Sequence, residues 1–117
     1  MSVIYRGRPG RWGTWRVWRN ERPLSPKTSQ KVWDHSLAGF SWGFGGSGPA
    51  QLALALLLDV VSKEEALRYH QAFKWDVVAT WPQDGPWEIS ADEIRRWLAM
   101  QRRRDNGTKE VMSAVVR

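Results

Sequence analysis

Trp42-Gly43-Phe44-Gly45-Gly46-Ser47-Gly48-Pro49-Ala50-Gln51-Leu52-Ala53-Leu54-Ala55-Leu56-Leu57-Leu58-Asp59-Val60 is the stretch around which the rest of this chain must fold. Its second half is apolar almost all round: Leu52, Leu54, Leu56, Leu57, Leu58 and Val60 leave no continuous polar stripe. A helix of that character belongs at the centre of a domain. Its first half is rich in glycine. Pro49 suits the start of a helix, where its missing N–H would be unpaired anyway. Gly48 or Ser47 is the expected N-cap, and Gln51 stands where a capping-box partner belongs. The sequence predicts a buried helix from about Pro49 to Val60.

Two further helices follow. Ser62-Lys63-Glu64-Glu65 is a capping box that opens a helix running to about Thr80, with Ala66, Tyr69, Phe73 and Val77 on one face. Pro82 ends it, and Gln83-Asp84-Gly85-Pro86 is a turn. Ser90-Ala91-Asp92-Glu93 is another capping box. Its helix buries Ile94, Trp97 and Leu98 and runs to about Arg103, with acids at its start and arginines at its end, as the helix dipole favours. Asp105-Asn106-Gly107 is read as the stop. Residues 1–104 form one domain in this reading, and residues 105–117 a weakly patterned tail.

Upstream, Val3-Ile4-Tyr5 and Thr14-Trp15-Arg16-Val17-Trp18 are rich in β-branched and aromatic residues, and the segment from Arg8 to Gly13 between them carries Pro9 and Gly10. The pattern predicts an antiparallel hairpin over residues 2–8 and 14–19. Alternation places Arg16 and Trp18 on one face and Trp15 and Val17 on the other. Residues 20–30 read as a loop, residues 30–34 as a short strand around Val32 and Trp33, and Phe40-Ser41-Trp42 as a last strand. The fold class is therefore α+β: a small antiparallel sheet packed on a buried central helix with two flanking helices.

The 117 residues include no cysteine, which excludes disulfides and thiolate chemistry. The longest apolar run is too short to span a bilayer, and no signal-peptide pattern opens the chain, so a cytoplasmic location without membrane contact is expected. The net charge is +6, and residues 1–34 carry all of it: six Arg and two Lys stand there against Glu21 and Asp34. A second basic run is Arg102-Arg103-Arg104. Such asymmetry favours a polyanionic partner. Nine tryptophans are more than so small a core can fully bury, so some belong to a groove or an interface.

Gly43, Gly45 and Gly48 spell a literal G-x-G-x-x-G, but no strand returns after the helix and no acidic residue follows at the required distance, so the dinucleotide fingerprint fails. Two readings stay open for this loop. In one, backbone N–H groups at the helix start hold an anion, with His35, Trp42, Gly43, Gly45, Gly46, Ser47, Gly48 and Gln51 as the site. In the other, the glycines let the backbone pass close beneath aromatic side chains. His35 and His70 have no zinc-ligand spacing. A His35–Ser47 pair is conceivable, but Pro49 breaks any nucleophile elbow. Asp92 and Glu93 read as helix-start acids. No constellation makes catalysis the leading reading, and no cofactor or metal is expected.

His35-Ser36, Gly39-Phe40 and the run from Trp42 to Leu57 resemble a family of small uncharacterised proteins met in bacteria and in phage and plasmid genomes. Its core reads HSPxGFxWGYGGSGPAQLALA, followed by a helix with Tyr-x-x-Phe-Lys, here Tyr69 to Lys74, and a final segment from Trp87 to Trp97. Leu37 replaces the usual proline and Phe44 the usual tyrosine. The resemblance brings no activity with it. Its mobile-element setting implies a role in host interaction or in opposing a bacterial defence complex.

The leading expectation is a non-enzymatic module that docks on nucleic acid or a nucleoprotein complex, for instance as an inhibitor of a CRISPR-type defence. The binding set would be Arg6, Arg8, Arg11, Trp12, Arg16, Trp18, Arg19, Arg102, Arg103 and Arg104. The alternatives are a small-ligand or phosphate-binding protein built on the glycine loop, or a homo-oligomer joined through exposed tryptophans.

Overall fold

The protein, seen in a computed structural model, is described over residues 2–11 and 15–116. Because the central helix has no polar side, it must be covered from every direction, and the other elements are arranged to do so. This helix, α2, runs Ser47–Val60 and is buried continuously from Gly48 to Leu57. Strands β1 (Ile4–Pro9), β2 (Trp15–Arg19), β3 (Arg22–Pro23) and β4 (Trp87–Ser90) form one antiparallel sheet in the order β3-β2-β1-β4. A short helix α1 (Lys27–Val32) packs on α2 from one side. Helices α3 (Lys63–Asp76) and α4 (Ala91–Val116) complete the cover. The α+β class holds. Tyr5, Val17 and Ile89 on the inner face of the sheet join Leu52, Leu54, Leu56, Phe73 and Ile94 in one core.

Several elements differ from the expectation, each for a local reason. Residues 30–34 are not a strand. Pro26 pre-sets the first turn of α1, Ser29 Oγ donates back to the Pro26 carbonyl at 2.9 Å, and Trp33 leaves the helix in extended conformation. Phe40-Ser41-Trp42 is not a strand, and Phe40 and Trp42 both lie buried in the core. Residues 20–30 include β3 as well as α1. Asn20 adopts φ 53° and turns β2 into β3, its Oδ1 accepting from the Ile4 N–H at 2.9 Å. Helix α3 ends at Asp76, and a separate 3-10 turn covers Val78–Thr80. Asp105-Asn106-Gly107 does not stop α4, which continues to Val116. Asp105 is held by the Tyr69 hydroxyl at 2.8 Å and by Arg68 at 3.4 Å, so α3 carries the helix past its glycine. Strand β4, unforeseen, pairs with β1 immediately before the last helix.

One of the expected capping boxes forms in full and another by its serine half. Ser62 Oγ accepts from the Glu65 N–H at 3.3 Å, and Ser90 and Glu93 bond reciprocally at 3.0 and 3.2 Å. The third does not. Gly46 is the N-cap of α2, and Gln51, fully buried, reaches away from its own helix. Its Oε1 accepts from the His35 and Ser36 N–H groups at 2.7 and 3.1 Å, while its Nε2 donates to Ser29 Oγ at 2.9 Å and to the Trp33 carbonyl at 3.1 Å. One carboxamide thus satisfies the loop from Trp33 to Ser36 and ties it to α1. Gln51→Leu keeps the volume and takes away the partner of the part-buried His35 and Ser36 N–H groups and of the Trp33 carbonyl. Each costs about 1–3 kcal/mol, so urea unfolding should show a loss of about 3 kcal/mol or more with the secondary structure still native at zero denaturant.

Candidate functional site

The solvent side of the sheet follows from strand alternation. In β1, Tyr5 and Gly7 face the core, so Arg6 and Arg8 face water. In β2, Val17 faces the core, so Arg16 and Trp18 face out. The register then sets who meets whom: Arg8 lies directly opposite Arg16, and Arg6 directly opposite Trp18. On the other side of β1, Glu88 stands opposite Arg6 and binds its Nε at 2.7 Å. Among the described residues neither Arg8 nor Arg16 has a carboxylate partner. Like charges directly across two strands cost about 0.2–1 kcal/mol, and among the described residues no ion pair to either arginine offsets that cost.

Trp18, half-buried, lines two concavities and among the described residues is the one they share. One, of about 460 Å³, is polar and is walled by Arg6, Arg8, Asn20 and Glu21. The other, of about 380 Å³, has Arg16 at its edge and Val17, Leu24, Pro26 and Phe40 among its walls. It opens because β3 is only two residues long and leaves the rest of the β2 edge uncovered.

The remaining arginines of the expected set lie elsewhere. Arg19 Nε binds Asp59 Oδ2 at 2.7 Å, and the Tyr5 hydroxyl donates to the same carboxylate. Burial and the neighbouring carboxylate push the Tyr5 phenol well above its usual range, so it stays a donor. This knot fastens β1 and β2 to the end of α2. Arg102 binds Glu65 of α3 at 2.6 Å, which places it in the helical layer, and Arg103 and Arg104 are exposed on α4. Arg11 is exposed beyond β1, and Trp12 lies outside the described residues. The structure therefore brings together Arg6, Arg8, Arg16 and Trp18, and separates Arg19 and the 102–104 run from them.

The glycine loop is packed from its Cβ side. A Cβ at Gly45 would overlap the Trp75 indole, one at Gly46 the Phe44 ring, and one at Gly48 the Ser41 side chain. Gly43 has φ 86° and lies against the Gln83 backbone, its N–H donating to the Val78 carbonyl at 3.1 Å. Trp42 and Gln51, expected beside a ligand, are fully buried, and the Trp42 indole donates to the Gly85 carbonyl at 3.0 Å. Ser47 is exposed at the helix start.

The ring partner found for His35 is His70, with Nε2 to Nε2 at 2.9 Å. His70 Nδ1 lies 2.8 Å from the Leu67 carbonyl, which can only accept, so the neutral His70 ring carries its proton on Nδ1. Its Nε2 therefore accepts from His35 Nε2–H. Trp33 stacks on His35 with centroids 4.6 Å apart. Lys74, one turn after His70, donates to the Gly45 carbonyl at 3.3 Å and sits over the Trp75 ring. Trp33 and Trp75, which touch this cluster, and Phe44, whose ring lies beside Gly46, are all exposed. Among the described residues no group of three or more histidine or carboxylate side chains is placed to hold a metal ion.

The chain belongs to a family of unknown function, DUF6166, whose model matches residues 5–100. No curated protein and no solved structure matches it. The matched span takes in β1 through β4 and ends inside α4, so it contains both the sheet face and the histidine cluster.

Sequence reasoning missed the carboxylates that claim Arg6, Arg19 and Arg102, because Glu88 and Asp59 arrive from 82 and 40 residues away. It also missed Asn20, Leu24 and Phe40 as walls of the concavities. Asn20 carried a usable signal: an asparagine directly after an aromatic-rich strand is a natural left-handed turn residue.

Burial lowers the pKa of both His35 and His70, and the neighbouring His70 and Lys74 lower that of His35 further. Groups whose folded pKa lies below the unfolded value stabilise above about pH 6.5 and lose that contribution as pH falls through the folded pKa. Thermal unfolding should thus show a falling midpoint from pH 7 to pH 5. His70→Gln should flatten that dependence, and an unchanged slope would contradict the pairing.

Proposed function

We propose that this protein is a non-enzymatic binding module that docks the phosphate backbone of a nucleic acid, free or within a nucleoprotein complex, on the outer face of its sheet. The observation that carries the reading is the Arg8–Arg16 pair: two arginines set directly opposite one another across β1 and β2, neither with a carboxylate partner among the described residues. A bound phosphate turns that repulsion into two charge-assisted, bidentate-capable contacts. Arg6 adds a third cation, already half-satisfied by Glu88, and Trp18 supplies an aromatic surface beside them. The packed state of the glycine loop favours the sheet face over the loop as the place where an anion sits.

Fluorescence anisotropy with a labelled oligonucleotide across a salt series tests this. Affinity should fall steeply with salt. Arg8→Ala and Arg16→Ala should each weaken binding and reduce the slope of log K against log salt by about one. Arg103→Ala, on the helical layer, should leave both unchanged. Absence of binding at low salt, or equal losses from all three variants, would overturn the proposal.

A second reading rests on a separate observation. Trp33, Phe44 and Trp75 are exposed, the two tryptophans touching the histidine cluster, as tryptophans at an interface are. In that reading two copies join through this patch. Light scattering should then show a dimer that Trp75→Glu dissociates, and a monomer at high concentration would dismiss it.

A further inference from the structure

We infer that the sheet face takes single-stranded rather than duplex nucleic acid, with the Trp18 indole inserted between two successive bases. The inference rests on the phosphate docking proposed above and adds the form of the ligand.

Three features of the face converge on it. First, among the described residues Trp18 is the one that lines both concavities, so it stands where the two meet. At about 380 and 460 Å³ both fall in the size range of small-ligand pockets. A duplex keeps its bases stacked on each other and offers no π-face to an indole, whereas a single strand offers one at every base.

Second, the linings differ in a way that suits the parts of a nucleotide. Val17, Leu24, Pro26 and Phe40 give one hollow apolar walls against which a base face can be buried. The other hollow has polar walls. Asn20 uses its Oδ1 on the Ile4 N–H and keeps its amide N–H groups as donors, while Glu21 brings an acceptor. Together they can meet a base edge. Third, the cations fall where the linkage between the two nucleotides must pass. Arg16 lines the apolar hollow, Arg8 lines the polar one, and the register sets these two side chains directly opposite each other. A phosphodiester joining a base in each hollow crosses that pair.

The experiment compares fluorescein-labelled ten-nucleotide oligo-dT and oligo-U with a labelled ten-base-pair DNA duplex, by anisotropy at one low salt concentration. At least one single strand should bind more tightly than the duplex, and the difference between dT and U tells DNA from RNA. Trp18→Ala should weaken single-strand binding about tenfold or more, without changing its salt slope, and should leave the residual duplex binding as it was. Trp18→Phe should restore most of the loss, and it carries the test if the alanine variant fails to fold. Duplex binding equal to that of both single strands, or Trp18 variants that alter neither or both ligands alike, would overturn the inference while Arg8 and Arg16 dependence kept the docking proposal standing. No binding of any oligonucleotide would remove both.

Discussion

A helix without a polar side has to be enclosed, and the architecture of this protein is the enclosure of α2. From Gly48 to Leu57 every residue of that helix is buried, and at about 25 cal/mol per Å² of apolar surface this burial outweighs any single hydrogen bond in the molecule. The sheet covers it through Tyr5, Val17 and Ile89, and α3 through Phe73 and Ala66. The one polar residue on its buried stretch, Gln51, is tolerated because its carboxamide is hydrogen-bonded to the loop that passes over it and to Ser29 of α1. The loop from Trp33 to Ser36 is therefore fixed by the helix it covers, and His35, the imidazole it brings to His70 of α3, inherits that fixed position.

The same enclosure decides which charges are left over. A sheet with one face on the core has one face in water, so the alternation that sends Tyr5, Gly7 and Val17 inward sends Arg6, Arg8, Arg16 and Trp18 outward. Where an arginine falls near the rim of the core, a carboxylate from a covering helix takes it, as Asp59 takes Arg19 and Glu65 takes Arg102. Of Arg6, Arg8 and Arg16 on the outer face, only Arg6 meets a carboxylate among the described residues, and that one comes from β4. Topology thus sets Arg6, Arg8 and Arg16 side by side on the outer face of the sheet.

Much of the fold was legible because its signals are local. The all-round apolar character of Leu52 to Leu58, the boxes at Ser62 and Ser90, and the alternation in Thr14 to Trp18 each depend on a few neighbours. The errors arose where tertiary contact overrode local preference. Val32 and Trp33 favour a strand, but Pro26 and the anchorage of Ser29 make the preceding residues helical. Asp105 to Gly107 reads as a stop, but α3 holds Asp105 in place. Trp87 to Ser90 is too short to announce itself and becomes a strand only because β1 offers an edge. For the candidate site, Arg16 and Trp18 were legible as one face, and Arg8 joined them through a register the sequence does not state. The fate of Arg19 depended on a carboxylate brought by another element, which no reading of its neighbours reveals.

An exposed sheet ordinarily invites a further strand along its border, from another copy or another protein. Here that border is β3, two residues long and ending in Pro23, which lacks the N–H a ladder needs, and beyond it only the start of β2 is left, because the Leu24 N–H already donates to the Val17 carbonyl at 2.8 Å. The opposite border, β4, is only four residues long and passes directly into a helix. The molecule can thus keep a broad open surface without offering a template for polymerisation, and whatever settles on that surface must do so through side chains rather than by extending the sheet.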